Sequence, residues 1–189
     1  HEMRFGLFRG MSHFQKPPWT EKLNPLGIAD EAMLEPALAW STMGGRPFFA
    51  TFVTIATHND YDVPAGFPRK EYPGIRDRKL RKYLNAVRYL DDFVGRAVRA
   101  YEAHGLADDT LFVILGDHGE GFGEHGRFFH DLTIYEEGLR IPLVLYGPGV
   151  LGERTGLIPG DRQSLDILPT VLDILGMEVT SGSLPGASL

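Results

Sequence analysis

No cysteine occurs among these 189 residues, which excludes disulfides, thiolate metal sites and any cysteine-derived nucleophile within them. Long apolar runs are lacking too, since no stretch reaches the roughly 18 residues of a membrane span. Nor is there a cationic surplus: 19 lysines and arginines face 25 aspartates and glutamates, for a formal charge of −6. A chain so composed has little with which to displace the counterions of a nucleic acid backbone, although local basic patches stay open. No internal repeat is visible. The start at His1 has neither an initiator methionine nor a charged segment followed by an apolar one, so the expectation is a chain cut from something longer. What is present is the composition of a folded domain. Hydrophobic residues make up 43% of the chain, and a chain of this length buries roughly two-thirds of its unfolded surface.

His1 to Asn24, with Gly6, Gly10, Pro17, Pro18 and scattered aromatics, reads as a packed irregular segment. Asp30 to Thr42 has helical composition with Asp30 as its N-cap, provided Pro36 falls in the first turn, and Gly44-Gly45 ends it. Pro47 to Thr57 is apolar and β-rich, too uniform for a half-exposed strand, and reads as a central strand ending at His58. Prolines 64, 68 and 73 then impose an extended loop. From about Ile75 to Ala103 one stripe recurs at helical spacing through Leu80, Tyr83 or Leu84, Val87, Leu90, Val94, Ala97 or Val98, and Tyr101, with Gly105 placed to end it. Arg76, Arg78, Lys79, Arg81, Lys82 and Arg88 fill much of the remainder and read as a solvated face. Tyr135 to Leu139 predicts a short helix, Ile141 to Tyr146 a strand, and Ser164 to Leu175 a helix closed by Gly176. This alternation points to an α/β sandwich of three layers.

The densest chemistry follows Leu111 to Leu115, an apolar run that reads as a strand buried on both faces and stops at Gly116-Asp117-His118-Gly119-Glu120. Gly123-Glu124-His125-Gly126-Arg127 and Phe129-His130 come next. Glycines on either side of Asp117-His118 permit a sharp turn where the strand ends, which is where open α/β sheets bind ligands. A carboxylate and an imidazole on adjacent residues reach one ion only where the backbone turns, although an isolated Asp-His-Gly also suits a capped turn. His58, at the end of the other apolar run, could bond a substrate oxygen or protonate a leaving group, or be satisfied by a backbone carbonyl.

The order Tyr83, Val87, Asp91-Asp92, Val94-Gly95, then Asp109 to Val113, then Gly116 to Glu120, resembles the C-terminal half of the sulfatase domain in the alkaline phosphatase superfamily. The likeness continues through Tyr135-Glu136-Glu137, Arg140 to Leu143, Gly147-Pro148-Gly149, Asp166 to Thr170 and the closing Gly186-Ala187-Ser188-Leu189, and covers roughly residues 29 to 189. It implies an α/β fold, a three-layer sandwich around a central mixed, mainly parallel sheet. By the same resemblance Asp117 and His118 are ligands of a divalent metal, calcium first, with manganese, zinc or magnesium as alternatives. His58 and His130 are the catalytic histidines that serve the transferred group and its leaving oxygen. His130 stands where many soluble sulfatases carry a lysine and phosphoethanolamine transferases a histidine. Arg127 and His125 are secondary substrate-binding candidates, while Glu120 and Glu124 read as loop-fixing carboxylates.

Complete sulfatase domains begin with a strand bearing two acidic metal ligands, followed by a cysteine, serine or threonine nucleophile. Neither is found here: the nearest string, Ser183-Leu184-Pro185-Gly186-Ala187, lacks the expected arginine and lies at the wrong end. The expectation is that residues 1–189 are the C-terminal part of a catalytic domain, with no nucleophile in this chain. The parent protein would then hydrolyse sulfate esters through a metal-dependent covalent mechanism. Transfer of a phosphoethanolamine- or phosphoglycerol-type headgroup, hydrolysis of a phosphodiester or phosphonate, and a non-catalytic sulfatase-like module are the alternatives. The partner is a small-molecule, glycan or lipid sulfate or phosphate ester, not a nucleic acid, and apolar sheet faces and edges left bare predict self-association of the fragment.

Overall fold

The computed structural model describes residues 7, 9–14, 22–24, 26–131 and 134–189. Much of the segment read as irregular, 1–6, 8 and 15–21, lies outside them. The chain divides into two compact units, His1–Tyr101 and Glu102–Leu189.

The first unit is organised on α2 (Arg78–Ala103), the helix whose periodicity the sequence shows most clearly. Its buried face runs through Ala86, Tyr89, Phe93 and Tyr101, whereas Val87 is exposed. The stripe is thus rotated slightly from the aliphatic one read in the sequence, because aromatic partners fix it. Phe67 packs edge-on against Tyr89, Phe52 against Phe93, and Phe48 lies tilted on Tyr101. Such rings bring the largest apolar area to a helix face.

Two of those partners, Phe48 and Phe52, come from the apolar run 47–57, which carries no ladder hydrogen bonds among the described residues, contrary to the expected central strand. Its burial nonetheless alternates. Phe48, Ala50, Phe52 and Thr54 are partly buried, while Phe49 and Val53 are 71% and 78% exposed. Uniform apolarity cannot say which face finds a partner, and here one face does. The end of the run is anchored by Asp30, whose carboxylate accepts the N–H groups of Ile55 (2.8 Å) and Ala56 (3.3 Å). Asp30 is therefore not the N-cap expected of the following helix. It is buried, and desolvation pushes its pKa up to about 6 against the lowering effect of those two N–H groups. A 3₁₀ turn (Asp30–Met33) leads into α1 (Leu34–Ser41), with Pro36 in the first turn as its missing N–H requires. Before it, β1 (Lys22–Asn24) and β2 (Gly27–Ile28) form a small antiparallel hairpin that the sequence did not announce. The Asn24 side chain accepts the N–H groups of Leu26 and Gly27 to make its turn.

In the second unit β3 (Phe112–Leu115) pairs antiparallel with β4 (Leu143–Tyr146), Phe112 opposite Tyr146 and Leu115 opposite Leu143. Leu115, Val144 and Tyr146 remain exposed, so β3 is not covered on both faces among the described residues. The α/β class stands, but both described sheets are two-stranded and antiparallel, not the mainly parallel sheet expected. The short helices α3 (Glu136–Leu139) and α4 (Pro148–Leu151) flank β4, and α5 (Ile167–Ile174) fills the span read as the last helix. The closing Gly186 to Leu189 element docks on α5. Ala187 N–H donates to Asp166 and Leu189 N–H to Thr170 Oγ1, and with the Gln163 N–H the first of these holds the Asp166 carboxyl below its usual range.

Candidate functional site

The loop that leaves β3 doubles back on itself. Phe129 N–H donates to Gly121 O and Gly123 N–H to Arg127 O, and Phe122 bridges Phe128 across the gap. The turn is made at Glu124–Gly126, with Gly123 and His125 at positive φ. This hairpin explains why residues twelve apart in sequence meet: the His118 and His130 rings stack, with centroids 3.6 Å apart and planes 24° from parallel. The loop is pinned at its base by Gly119, whose N–H donates to Gly138 O at 2.8 Å. A Cβ at Gly119 would overlap the Glu137 carbonyl, so glycine serves there for close approach to α3.

His118 Nδ1 lies 2.7 Å from Gly119 O. A carbonyl only accepts, so Nδ1 carries the proton and Nε2 presents a lone pair, the tautomer a metal ligand needs. That Nε2 stands 3.6 Å from Asp117 Oδ2. Two donors on one divalent ion at about 2.1–2.4 Å each are separated by about 3.0–3.6 Å when adjacent in its shell, so the pair fits. Among the described residues no group of three or more metal-ligating side chains assembles, and most of an ion's shell would be filled from elsewhere.

His130 is oriented by Glu120. Its Nδ1–H points at Glu120 Oε1 at 3.3 Å, and the Glu120 side chain is only 6% exposed. Glu124 Oε2 accepts Phe122 N–H at 2.6 Å, so both carboxylates fix the loop as expected. His125 is brought elsewhere: it stacks on Tyr135 (4.1 Å) and donates from Nδ1 to Glu137 Oε1 (3.0 Å). That bond holds the Glu137 carboxyl below its usual range. The role of Glu137 as the latch of this loop escaped sequence reasoning, although the Tyr135-Glu136-Glu137 string was the signal. The Arg127 side chain is exposed.

His58 belongs to the first unit, where it occupies an exposed turn. Its N–H donates to Ile55 O and its carbonyl accepts Tyr61 N–H. Asp60 and Tyr61 follow at φ 78° and 48°. The described non-glycine residues at positive φ are these two, His125 and Phe129, so every one lies within three residues of His58 or in the loop that ends at His130. Strain of this kind persists where the surroundings impose it, commonly around functional groups.

A family model described as Sulfatase matches residues 3–177. The chain is 33% identical to the choline-sulfatase of Rhizobium meliloti (strain 1021) over 102 residues, 54% of this chain and 19% of that protein. It is 24% identical to the lipoteichoic acid synthase-like YvgJ of Bacillus subtilis (strain 168) over 95% of this chain and 30% of that one. It therefore spans less than a third of the length of either. Among solved structures, the lipoteichoic acid synthase LtaP from Listeria monocytogenes superposes with a TM-score of 0.75 at 22% identity, covering 93% of this chain and 45% of that chain. The fold is shared with that structure, and the chain belongs to the sulfatase family.

Proposed function

We propose that the protein carrying this chain hydrolyses sulfate esters, with Asp117 and His118 contributing two donors to a divalent cation and His58 and His130 serving the transferred group. The observation that most supports this is the His118 tautomer: Nδ1–H is held by Gly119 O, and Nε2 is left 3.6 Å from Asp117 Oδ2, under the stacked ring of His130. A carboxylate beside an imidazole suits calcium, manganese, zinc or magnesium. The bound ion would polarise the group under attack. The nucleophile and the remaining ligands come, in this reading, from residues outside this chain, which makes it the C-terminal part of the catalytic domain.

The chemistry of the histidines then follows. As the nucleophile's oxygen bonds to sulfur, the bond to the ester oxygen breaks, and that oxygen takes a proton from an imidazolium. Water then attacks the covalent sulfuryl group, the imidazole accepting its proton, and the nucleophile is restored. His130, with its ring direction set by Glu120, also offers a donor to the charge that develops on the oxygens.

A second reading, transfer of a phosphoryl-bearing headgroup, is favoured by one observation. The lipoteichoic acid synthase-like relative aligns over 95% of this chain, the choline-sulfatase over 54%. The two readings part in a turnover panel on the full-length protein with an aryl sulfate, a phosphodiester and a phosphonate monoester, each with and without an added alcohol acceptor. Release of sulfate to water supports the first; phosphoryl-group product found only on the acceptor supports the second. Turnover unchanged by both Asp117→Ala and His130→Ala would overturn the site.

A further inference from the structure

The cations on α2 do not all face solvent as a featureless surface. A cleft of about 240 Å³ lies between the loop 61–71 and the first turns of α2, and its walls hold five cations, Arg69, Lys70, Arg78, Arg81 and Lys82, against two carboxylates, Asp62 and Glu71. In a chain of formal charge −6 this is a local reversal of sign. Three of the five are engaged by the fold: Lys82 pairs with Asp62 at 2.7 Å, Arg69 donates to Val63 O, and Arg81 donates to Ile75 O. Lys70 lies over the Tyr72 ring, 5.6 Å from its centroid. The Arg78 side chain has no hydrogen bond or ion pair among the described residues.

The walls are built in advance. Asn85, which is buried, accepts Lys70 N–H at 2.7 Å and donates to Lys70 O at 3.1 Å, and Arg88 donates to Pro68 O while lying over the Phe67 ring. A cleft fixed in this way does not have to be ordered when a ligand enters. The placement of charge also opposes the helix. Asp77 caps α2 by accepting the Leu80 N–H at 2.8 Å, but the first turn itself has no acidic residue and begins Arg78-Lys79, so cations still crowd the end where the backbone dipole is already positive. A departure from helix charge rules without a gain in folding is expected where a ligand supplies the gain. A second cleft shares Tyr61, Arg78 and Lys82 with the first and extends to Asn59 and Asp60, the residues after His58.

We propose that this cleft is a subsite for a second sulfate or phosphate group of the substrate, so that the protein prefers esters with more than one anionic group. The inference rests on the proposed ester chemistry for its substrate but not for its binding. On the full-length protein, Arg78→Glu should raise KM for an aryl sulfate bearing a second sulfate about tenfold more than KM for its monosulfated counterpart, the loss of one charge-assisted contact. The exposed Arg46→Glu, outside the cleft, should change neither. Equal effects of Arg78→Glu on both substrates, or none, would overturn the subsite. Calorimetry with pyrophosphate separates this from a failure of the catalytic reading. Binding that Asp117→Ala keeps and Arg78→Glu loses supports the cleft even if no ester is turned over, and binding that Arg78→Glu keeps overturns it. Arg78→Glu should also raise the melting temperature without anion, since it corrects the charge at the helix end. A drop instead, not reproduced by Arg78→Gln, would count against the dipole argument and overturn the proposal's account of why the cations are there.

Discussion

Residues 58–75 in the first unit and 116–131 in the second are both loops that follow an apolar run and carry a histidine, yet they are held by different means. The first is fixed by side chains reaching down from a long helix: Asn85, Arg81 and Arg88 bond its backbone, and Lys82 pairs with Asp62. The second is fixed first by its own main chain, through the bonds from Phe129 to Gly121 and Gly123 to Arg127, and by a glycine that lets it touch α3, with the carboxylates of Glu120, Glu124 and Glu137 added to that frame. A loop held by side chains fails one bond at a time. A loop held by backbone and close approach fails as a whole.

The largest expected effect follows from that difference. Gly119→Ala should cost about 3 kcal/mol in the second unit, because its Cβ has nowhere to go against the Glu137 carbonyl. Denaturant unfolding and metal affinity should both fall, and a variant of unchanged stability would show that the close approach is not required.

Next in size is the anchor of the run that precedes His58. Asp30 is protonated more readily in the folded state (about 6) than in the unfolded chain (3.8). Its contribution therefore favours folding below about pH 4 and is lost as pH rises through about 6. The range is worth on the order of 2–3 kcal/mol. Asp30→Asn should remove that slope from urea midpoints measured between pH 4 and 6.5. A slope that persists would assign it to other groups.

Asn85→Ala should cost about 2 kcal/mol, since it removes both bonds to the Lys70 backbone and one to Arg81 O. Hydrogen exchange should rise around residue 70 and stay unaltered around 119–131. Smallest is Glu120→Gln, which keeps the shape but weakens the grip on His130. It should lower kcat by about tenfold with KM little changed, whereas an effect on KM alone would make Glu120 a binding group.

Much of this comparison was legible beforehand, and where it was not the reason is physical. The α2 helix announces itself because 26 residues with one apolar face leave no other period to fit. The short helix at Glu136–Leu139 and the strand at Leu143–Tyr146 fell where turn residues bracket them. The run 47–57 has the composition of a paired strand without being one, because apolar residues record a need for cover and not who supplies it; rings on α2 supply it here. Asp30 suits a cap by its local sequence, while its actual partners at Ile55 and Ala56 lie 25 and 26 residues away. Asp117, His118 and His130 could be named from the string, but the stacking of the two rings depends on the hairpin 121–129, and the latch of His125 on Glu137 crosses to another element.

The central claim is that His118 Nε2 and Asp117 Oδ2 are two donors to one divalent ion. Metal content and affinity of the full-length protein, measured after chelation and titration back with calcium, manganese, zinc and magnesium in turn, test it most directly. The account predicts that Asp117→Ala and His118→Ala each weaken the preferred ion by at least about tenfold, while the neighbouring Glu124→Gln leaves it alone. Wild-type affinity in both ligand variants would contradict it.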